Sequence, residues 1–279
     1  MRVEGRKIAT DLVLNSQLPT LNPQLSLTFL GTGTSLGVPV IGCDCEVCHS
    51  PDSRDQRLRS SIYLKTPEYA WVVDTGTDFR AQALRENIRR LDAVVFTHSH
   101  TDHIMGFDDL RRYSHDLGSI PVYASAETMR DLQRVYEFAF NGLNRFPGYL
   151  VPVPHIIDGP FLLGKTLLTP LPVPHGHSLV NGYLFSREGE KLVAYLSDCS
   201  SVPEEIVREI VGVRVLIIDA LRRKPHPTHL SVDQALEVAV KVRPLQTLFT
   251  HISHELSQAS EAELPAGVGI AYDGLKLQF

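Results

Sequence analysis

The stretch Thr97-His98-Ser99-His100-Thr101-Asp102-His103 constrains this chain more than any other. Three imidazoles and one carboxylate follow directly on Leu91-Asp92-Ala93-Val94-Val95-Phe96, a run with the composition of a buried strand. Side chains alternate along an extended segment, so His98 and His100 face the same way. A turn into a helix after His100 lets Asp102 and His103 swing to a second point nearby. Imidazole and carboxylate are good ligands for zinc and similar divalent ions, and this spacing suits two adjacent ions better than one. A polar loop rich in histidine by chance does not fit, because three later strand-like runs also end in His or Asp. They end at His175 (or His177), Asp198 and His251.

A second cluster precedes the first. Cys43, Cys45 and Cys48 are three of the four cysteines and read as a metal clip, since cysteines this close rarely pair with one another. Three thiolates need a fourth ligand for closed tetrahedral zinc, and a closed site is structural. Cys45-Glu46-Val47-Cys48-His49 also matches a c-type haem attachment pattern, which leaves Cys43 unexplained and belongs to exported proteins. Met1 to Leu14 has scattered charges and no apolar core, so the expectation is no secretory signal and a cytoplasmic location. No apolar run approaches a membrane span, so no membrane partner is expected. A net charge of −5 argues against a broad basic surface, which makes nucleic acid an unexpected partner. A homodimer is the base-rate expectation.

Along the chain, residues 1–24 read as an N-terminal extension of a domain that fills the rest of 1–279. Strands are predicted at 25–30, 61–65, 70–74, 91–96, 120–124, 166–173, 181–185, 191–196, 214–220 and 247–250, with short ones near 270–272 and 275–277. Helices are predicted at 77–90, 125–140, 203–211 and after Ser231, whose capping box uses Gln234. Residues 141–165, with several Gly and Pro, read as irregular. Arg80, Arg85, Arg89 and Arg90 read as solvated, and Cys199 as a small buried residue. Gly31-Thr32-Gly33 lacks the P-loop lysine and reads as a tight turn. Asp74 ends a strand, where it either orients a metal-bound histidine or caps a helix.

His-x-His-x-Asp-His after an apolar strand resembles the signature of the metallo-β-lactamase-fold hydrolases. With the cysteine triplet and His251-Ile252-Ser253-His254, the chain looks like the PhnP-type phosphodiesterases, which open a cyclic phosphate on a phosphorylated ribose. The resemblance implies an α/β (α+β) fold, a four-layer αββα sandwich with metals where strands end. It implies one ion on His98, His100 and His175, another on Asp102, His103 and His251, and Asp198 between them. The two active-site ions would be Zn or Mn. Cys43, Cys45, Cys48 and His254 would hold one structural Zn. His175 fits better than His177 because it ends the Pro-rich strand.

Two such ions share a hydroxide, because binding lowers the pKa of water towards neutrality. His229, on Lys224-Pro225-His226-Pro227-Thr228-His229, is implied as general acid or phosphate-positioning group, and His229 and Asp102 are the catalytic candidates. His226 reads as a loop residue. The expected substrate is a small cyclic or diester phosphate. Competing readings are a tRNA 3′-processing nuclease, a thioester or lactone hydrolase, and a non-catalytic metal scaffold like cofactor-biosynthesis relatives.

Overall fold

The computed structural model describes residues 24–143 and 146–279. The expected N-terminal extension, apart from Gln24, lies outside the described residues. Strands β1 (Ser26–Gly31), β2 (Ser61–Lys65), β3 (Ala70–Val73), β4 (Ala93–Val95), β5 (Ile120–Ala124) and β6 (Pro152–Ile156) build one sheet. Strands β7 (Phe161–Leu163), β8 (Thr166–His175), β9 (Ser178–Arg187), β10 (Glu190–Leu196), β11 (Val215–Asp219), β12 (Gln246–Thr250) and β13 (Val268–Ile270) build a second. Strand β14 (Lys276–Gln278) returns to the first sheet and pairs with β1, so the orders are β14-β1-β2-β3-β4-β5-β6 and β13-β12-β11-β10-β9-β8-β7.

One core lies between the sheets, where Phe29, Trp71 and Val95 of the first meet Tyr183, Tyr195 and Ile217 of the second. The outer face of the first sheet is covered by helices α1 (Phe79–Arg85), α2 (Thr101–Ile104), α3 (Arg111–Leu117), α4 (Ala126–Val135) and α5 (Glu137–Phe140). The outer face of the second carries α6 (Glu204–Ile210) and α7 (Val232–Val242). This is the four-layer αββα sandwich. Among the described residues no helix is long and apolar enough to cross a membrane.

The periodicity of β8 shows how sequence aims a site residue. Leu171, Val173 and His175 are buried on one face, while prolines alternate at 170, 172 and 174. Neighbour β7 reaches only Leu168, so beyond it β8 has one open edge. Prolines, which lack an N–H, are tolerated on such an edge. Period two then carries His175 inward with the core residues.

Several expectations need correction. Residues 141–165 are not wholly irregular: they hold the edge strands β6, with two prolines and four exposed side chains, and β7. The helix expected over 125–140 breaks at Tyr136 into α4 and α5, and Val135 and Phe138 are exposed. The helix expected over 77–90 is shorter, covering Phe79–Arg85. Arg85 is exposed as expected, and it also donates to the Leu30 carbonyl at 2.6 Å and pairs with Asp273 at 3.1 Å. The Gly31-Thr32-Gly33 turn does bring backbones together: a Cβ on Gly31 would lie 1.9 Å from the Arg59 carbonyl oxygen.

Candidate metal centre

Each site residue sits where a strand ends. Thr97 and His98 follow β4, His175 closes β8, Asp198 follows β10 and His251 follows β12. Asp74 follows β3, and Asp219 closes β11. The short α2 then turns Asp102 and His103 inward, where both are buried. It rests on the 74–76 turn, with Thr75 donating to the His103 carbonyl at 2.8 Å. Gly76 permits that contact, since a Cβ there would stand 2.0 Å from the Asp102 carbonyl oxygen.

Four imidazoles have their Nδ1 nitrogens held by oxygens. His103 Nδ1 donates to Asp74 Oδ2 at 2.7 Å. His98 Nδ1 lies 2.9 Å from Thr97 Oγ1, which itself donates to Asp74 Oδ2 at 2.8 Å. His251 Nδ1 lies 3.1 Å from Ser60 Oγ, which donates to the Gly33 carbonyl at 3.0 Å. His175 Nδ1 donates to the Thr228 carbonyl at 2.8 Å. A hydroxyl whose proton is already committed accepts from the ring, so the tautomer of each neutral ring is fixed, with its Nε2 lone pair facing the cluster. Asp74 thus serves the histidine cluster and not a helix cap, settling the alternative left by the sequence.

The free atoms converge. His98 Nε2 lies 2.9 Å from His100 Nδ1, and these two with His175 offer ligand atoms all within 4.8 Å of one another. His98, His103 and Asp198 form a second such group. The two oxygens of Asp198 face different rings, Oδ1 to His251 Nε2 and Oδ2 to His103 Nε2, each at 3.4 Å. Asp102 Oδ2 is 3.3 Å from His103 Nε2. His175, Asp198 and His229 form a third group within 4.8 Å, so His229 stands at ligand distance as well. His177 is exposed in the turn after β8, whereas His175 is buried. His100 is exposed and opens the cluster to solvent.

The donor set fits divalent ions. His103 Nε2 and Asp198 Oδ2 are both buried and complete no hydrogen bond. A buried carboxylate oxygen without a partner is costly unless a cation meets it. Burial opposes charge on His103, but Asp198, Asp102 and Asp74 outweigh it and raise its pKa well above the usual range. Burial instead pulls His251 down to about 4. Asp74 and His251 also carry positive φ angles, 64° and 57°, in the left-handed region that favours glycine. Sequence patterns carry no sign of that strain.

His229 is held behind by Asp219: its Nδ1 donates to Asp219 Oδ2 at 2.7 Å. Burial pulls the His229 imidazolium down, yet the Asp219 contact prevails and its pKa is raised. Asp219 is fully buried, and burial pushes its carboxyl up to about 7. Sequence reasoning missed Asp219, although a lone carboxylate closing the run Val215–Ile218 was the available signal.

Cys43, Cys45, Cys48 and His254 also meet. The three Sγ atoms lie 3.2, 3.4 and 3.6 Å from His254 Nδ1. The Cys48 N–H, donating to its sulfur, lowers the Cys45 thiol to about 6. Three sulfurs and one imidazole at this separation are a donor set for tetrahedral zinc.

Comparison with known proteins follows the same lines. A model of the beta-lactamase superfamily domain matches residues 70–252. A diphosphatase of the PhnP family has a solved structure 42% identical to this chain, with TM-score 0.84. The alignment covers 91% of this chain and 97% of that one. Zn(2+)-bound PqqB from Methylobacterium extorquens is 21% identical, with TM-score 0.72 over 91% of this chain and 100% of that one, a likeness of fold alone. An octanoyltransferase of Porphyromonas gingivalis is 34% identical over 255 residues, 88% of this chain. The chain spans only 50% of that relative's length. On matched span and identity together, the chain belongs to the β-lactamase superfamily and, within it, to the PhnP family.

Proposed function

We propose that this chain is a metal-dependent hydrolase of phosphate diesters, acting on a small substrate with a cyclic, diester or diphosphate linkage. The observation that carries the reading is the set of four oxygen-held Nδ1 nitrogens, which commits four Nε2 lone pairs to one buried acidic pocket. In this reading His98, His100 and His175 would hold one divalent ion, Zn or Mn. Asp102, His103 and His251 would hold a second, and Asp198 would serve as a ligand shared by the two groups. When bound, the two ions lower the pKa of water and draw off charge developing on the attacked group.

The chain's own residues supply the rest. Asp74, Thr97, Ser60 and the Thr228 carbonyl hold the imidazoles in one tautomer. His229, steadied by Asp219, holds a proton at Nε2 beside the cluster and donates it to the leaving oxygen. A lone hydroxyl or thiol nucleophile has no part in this reading, and Cys199 is wholly buried. Cys43, Cys45, Cys48 and His254 hold a structural Zn that ties residues 34–52 to the segment after β12. Support for a phosphate diester over a thioester or lactone comes from the diphosphatase relative at 42% identity.

The test combines metal analysis with turnover of an aryl phosphodiester, an aryl monoester, a thioester and a dinucleotide bridged by diphosphate. The expected result is about three ions per chain, one resisting chelation, with turnover selective for the diester and diphosphate substrates. One firmly held zinc and no turnover on any substrate, even with added Zn or Mn, would leave only a metal-binding scaffold.

A further inference from the structure

We propose that His226 is a specificity-determining residue whose Nε2–H contacts the second phosphoryl group of a diphosphate-bridged substrate. This rests on the phosphate-diester reading and narrows it to P–O–P linkages.

The tautomer comes first. His226 Nδ1 accepts from the Thr228 backbone N–H at 3.4 Å and lies 3.1 Å from Thr228 Oγ1. A backbone N–H can only donate, so this ring nitrogen carries its lone pair. The proton of the neutral ring is then on Nε2. Among the described residues no hydrogen bond engages that Nε2, and the ring is half-buried.

Position comes second. The rings form a stair leading out of the cluster. His251 and His175 lie 4.7 and 4.8 Å from His229 between centroids, and His226 stands 5.3 Å beyond His229. One residue fixes the step, because the Thr228 carbonyl accepts from His175 while the Thr228 N–H donates to His226. A phosphoryl group seated at the cluster beside His229 therefore places its neighbour along the chain of phosphates at His226. The two arginines of this loop are committed elsewhere: Arg222 pairs with Glu255 and Arg223 with Glu263, each at 2.6 Å. A neutral N–H donor meeting an anionic oxygen makes one of the stronger hydrogen bonds, and it adds no charge to a site already holding cations.

The experiment compares His226→Ala and His226→Gln with the parent holoenzyme. Substrates are a diphosphate-bridged dinucleotide and an aryl phosphodiester, which lacks a second phosphoryl group. Binding of a methylene-bridged diphosphonate analogue is measured by calorimetry. For His226→Ala, selectivity (the ratio of kcat/KM on the two substrates) falls about tenfold or more, carried by KM, and the analogue's Kd rises by a similar factor. Glutamine presents an amide N–H at comparable reach, so His226→Gln recovers most of both losses. Equal losses on both substrates, no rescue by glutamine, or unchanged binding of the analogue would overturn the assignment while leaving the hydrolase reading intact. A parent enzyme that turns over neither phosphate substrate would remove that reading and this inference with it.

Discussion

The two ligand clusters of this molecule are built in opposite ways. In the His/Asp cluster, oxygens already stand behind His98, His103, His175 and His251, at 2.7–3.1 Å. Its residues sit at the ends of strands that share the central core. In the Cys/His cluster the loop of residues 34–52 contains no named strand or helix. Its sulfurs are met by backbone N–H groups, Val40 to Cys48 Sγ at 3.3 Å and Cys48 to Cys45 Sγ at 3.5 Å. The first cluster is arranged by the protein for an ion; the second is a place where an ion arranges the protein. Loss of metal should therefore cost activity at the one and local structure at the other.

The largest expected effect tests the first half of that contrast. Asp198→Ala removes both oxygens that face His103 and His251. Turnover of an aryl phosphodiester should fall by at least ~10²-fold, the scale of losing one electrostatic contact at a reacting centre. Circular dichroism and thermal midpoint should stay near the parent's, because the substitution also removes a buried carboxylate with an unpaired oxygen. Retained turnover would sink the assignment of Asp198 to both ions.

Asp74→Asn comes next. Asp74 is not itself a ligand but accepts from Thr97 N–H, Thr97 Oγ1 and His103 Nδ1. An amide cannot accept from all three with the same charge. Metal affinity should fall roughly 10–100-fold, the usual cost of losing such a partner. Competition with a chelator measures this directly, and an unchanged affinity would mean that the oxygens behind the rings do not preorganise them.

Cys48→Ser tests the other half. Cys48 is the buried thiol of its cluster. The variant should lose the chelation-resistant ion, lower the thermal midpoint by several degrees and open residues 34–52 to protease. Turnover should fall only a few-fold, through His251, which shares its segment with His254. A loss as deep as that of Asp198→Ala would erase the distinction between the clusters.

Much of this contrast was legible in the sequence, and the part that was not has a physical reason. Ligand atoms follow strands whose apolar runs are local patterns, so His98, Asp198 and His251 could be found one by one. His175 was separable from His177 because it ends the Pro-rich run of β8, whereas His177 lies in the turn beyond it. The partners behind the ligands were mostly hidden. Ser60 reaches His251 across 191 positions, and Thr228 reaches His175 across 53. Such pairs exist only once two sheets have closed on each other, and a serine or a backbone carbonyl leaves no mark in composition. Strand β6 escaped for another reason: an edge strand carrying Pro152 and Pro154, mostly exposed, has the composition of a loop.

The smallest expected effect serves as a control far from either cluster. Glu68 accepts from Arg187 at 2.6 Å, joining the turn before β3 to the end of β9. The Arg187 contact lowers the Glu68 carboxyl from its ordinary value to about 2. A carboxyl depressed in the folded state adds stability above its unfolded value. That contribution fades as pH falls through the folded one. The window is thus from about pH 4.5 down to about 2. Glu68 is partly exposed, so solvent screening keeps the contribution to ~1 kcal/mol or less. Glu68→Gln should lower stability slightly at neutral pH, and the difference from the parent should shrink as pH falls through that window. Metal content and turnover should not move. A change in either would mean that the sandwich transmits distant strain to the clusters, and neither could then be treated as a locally built site.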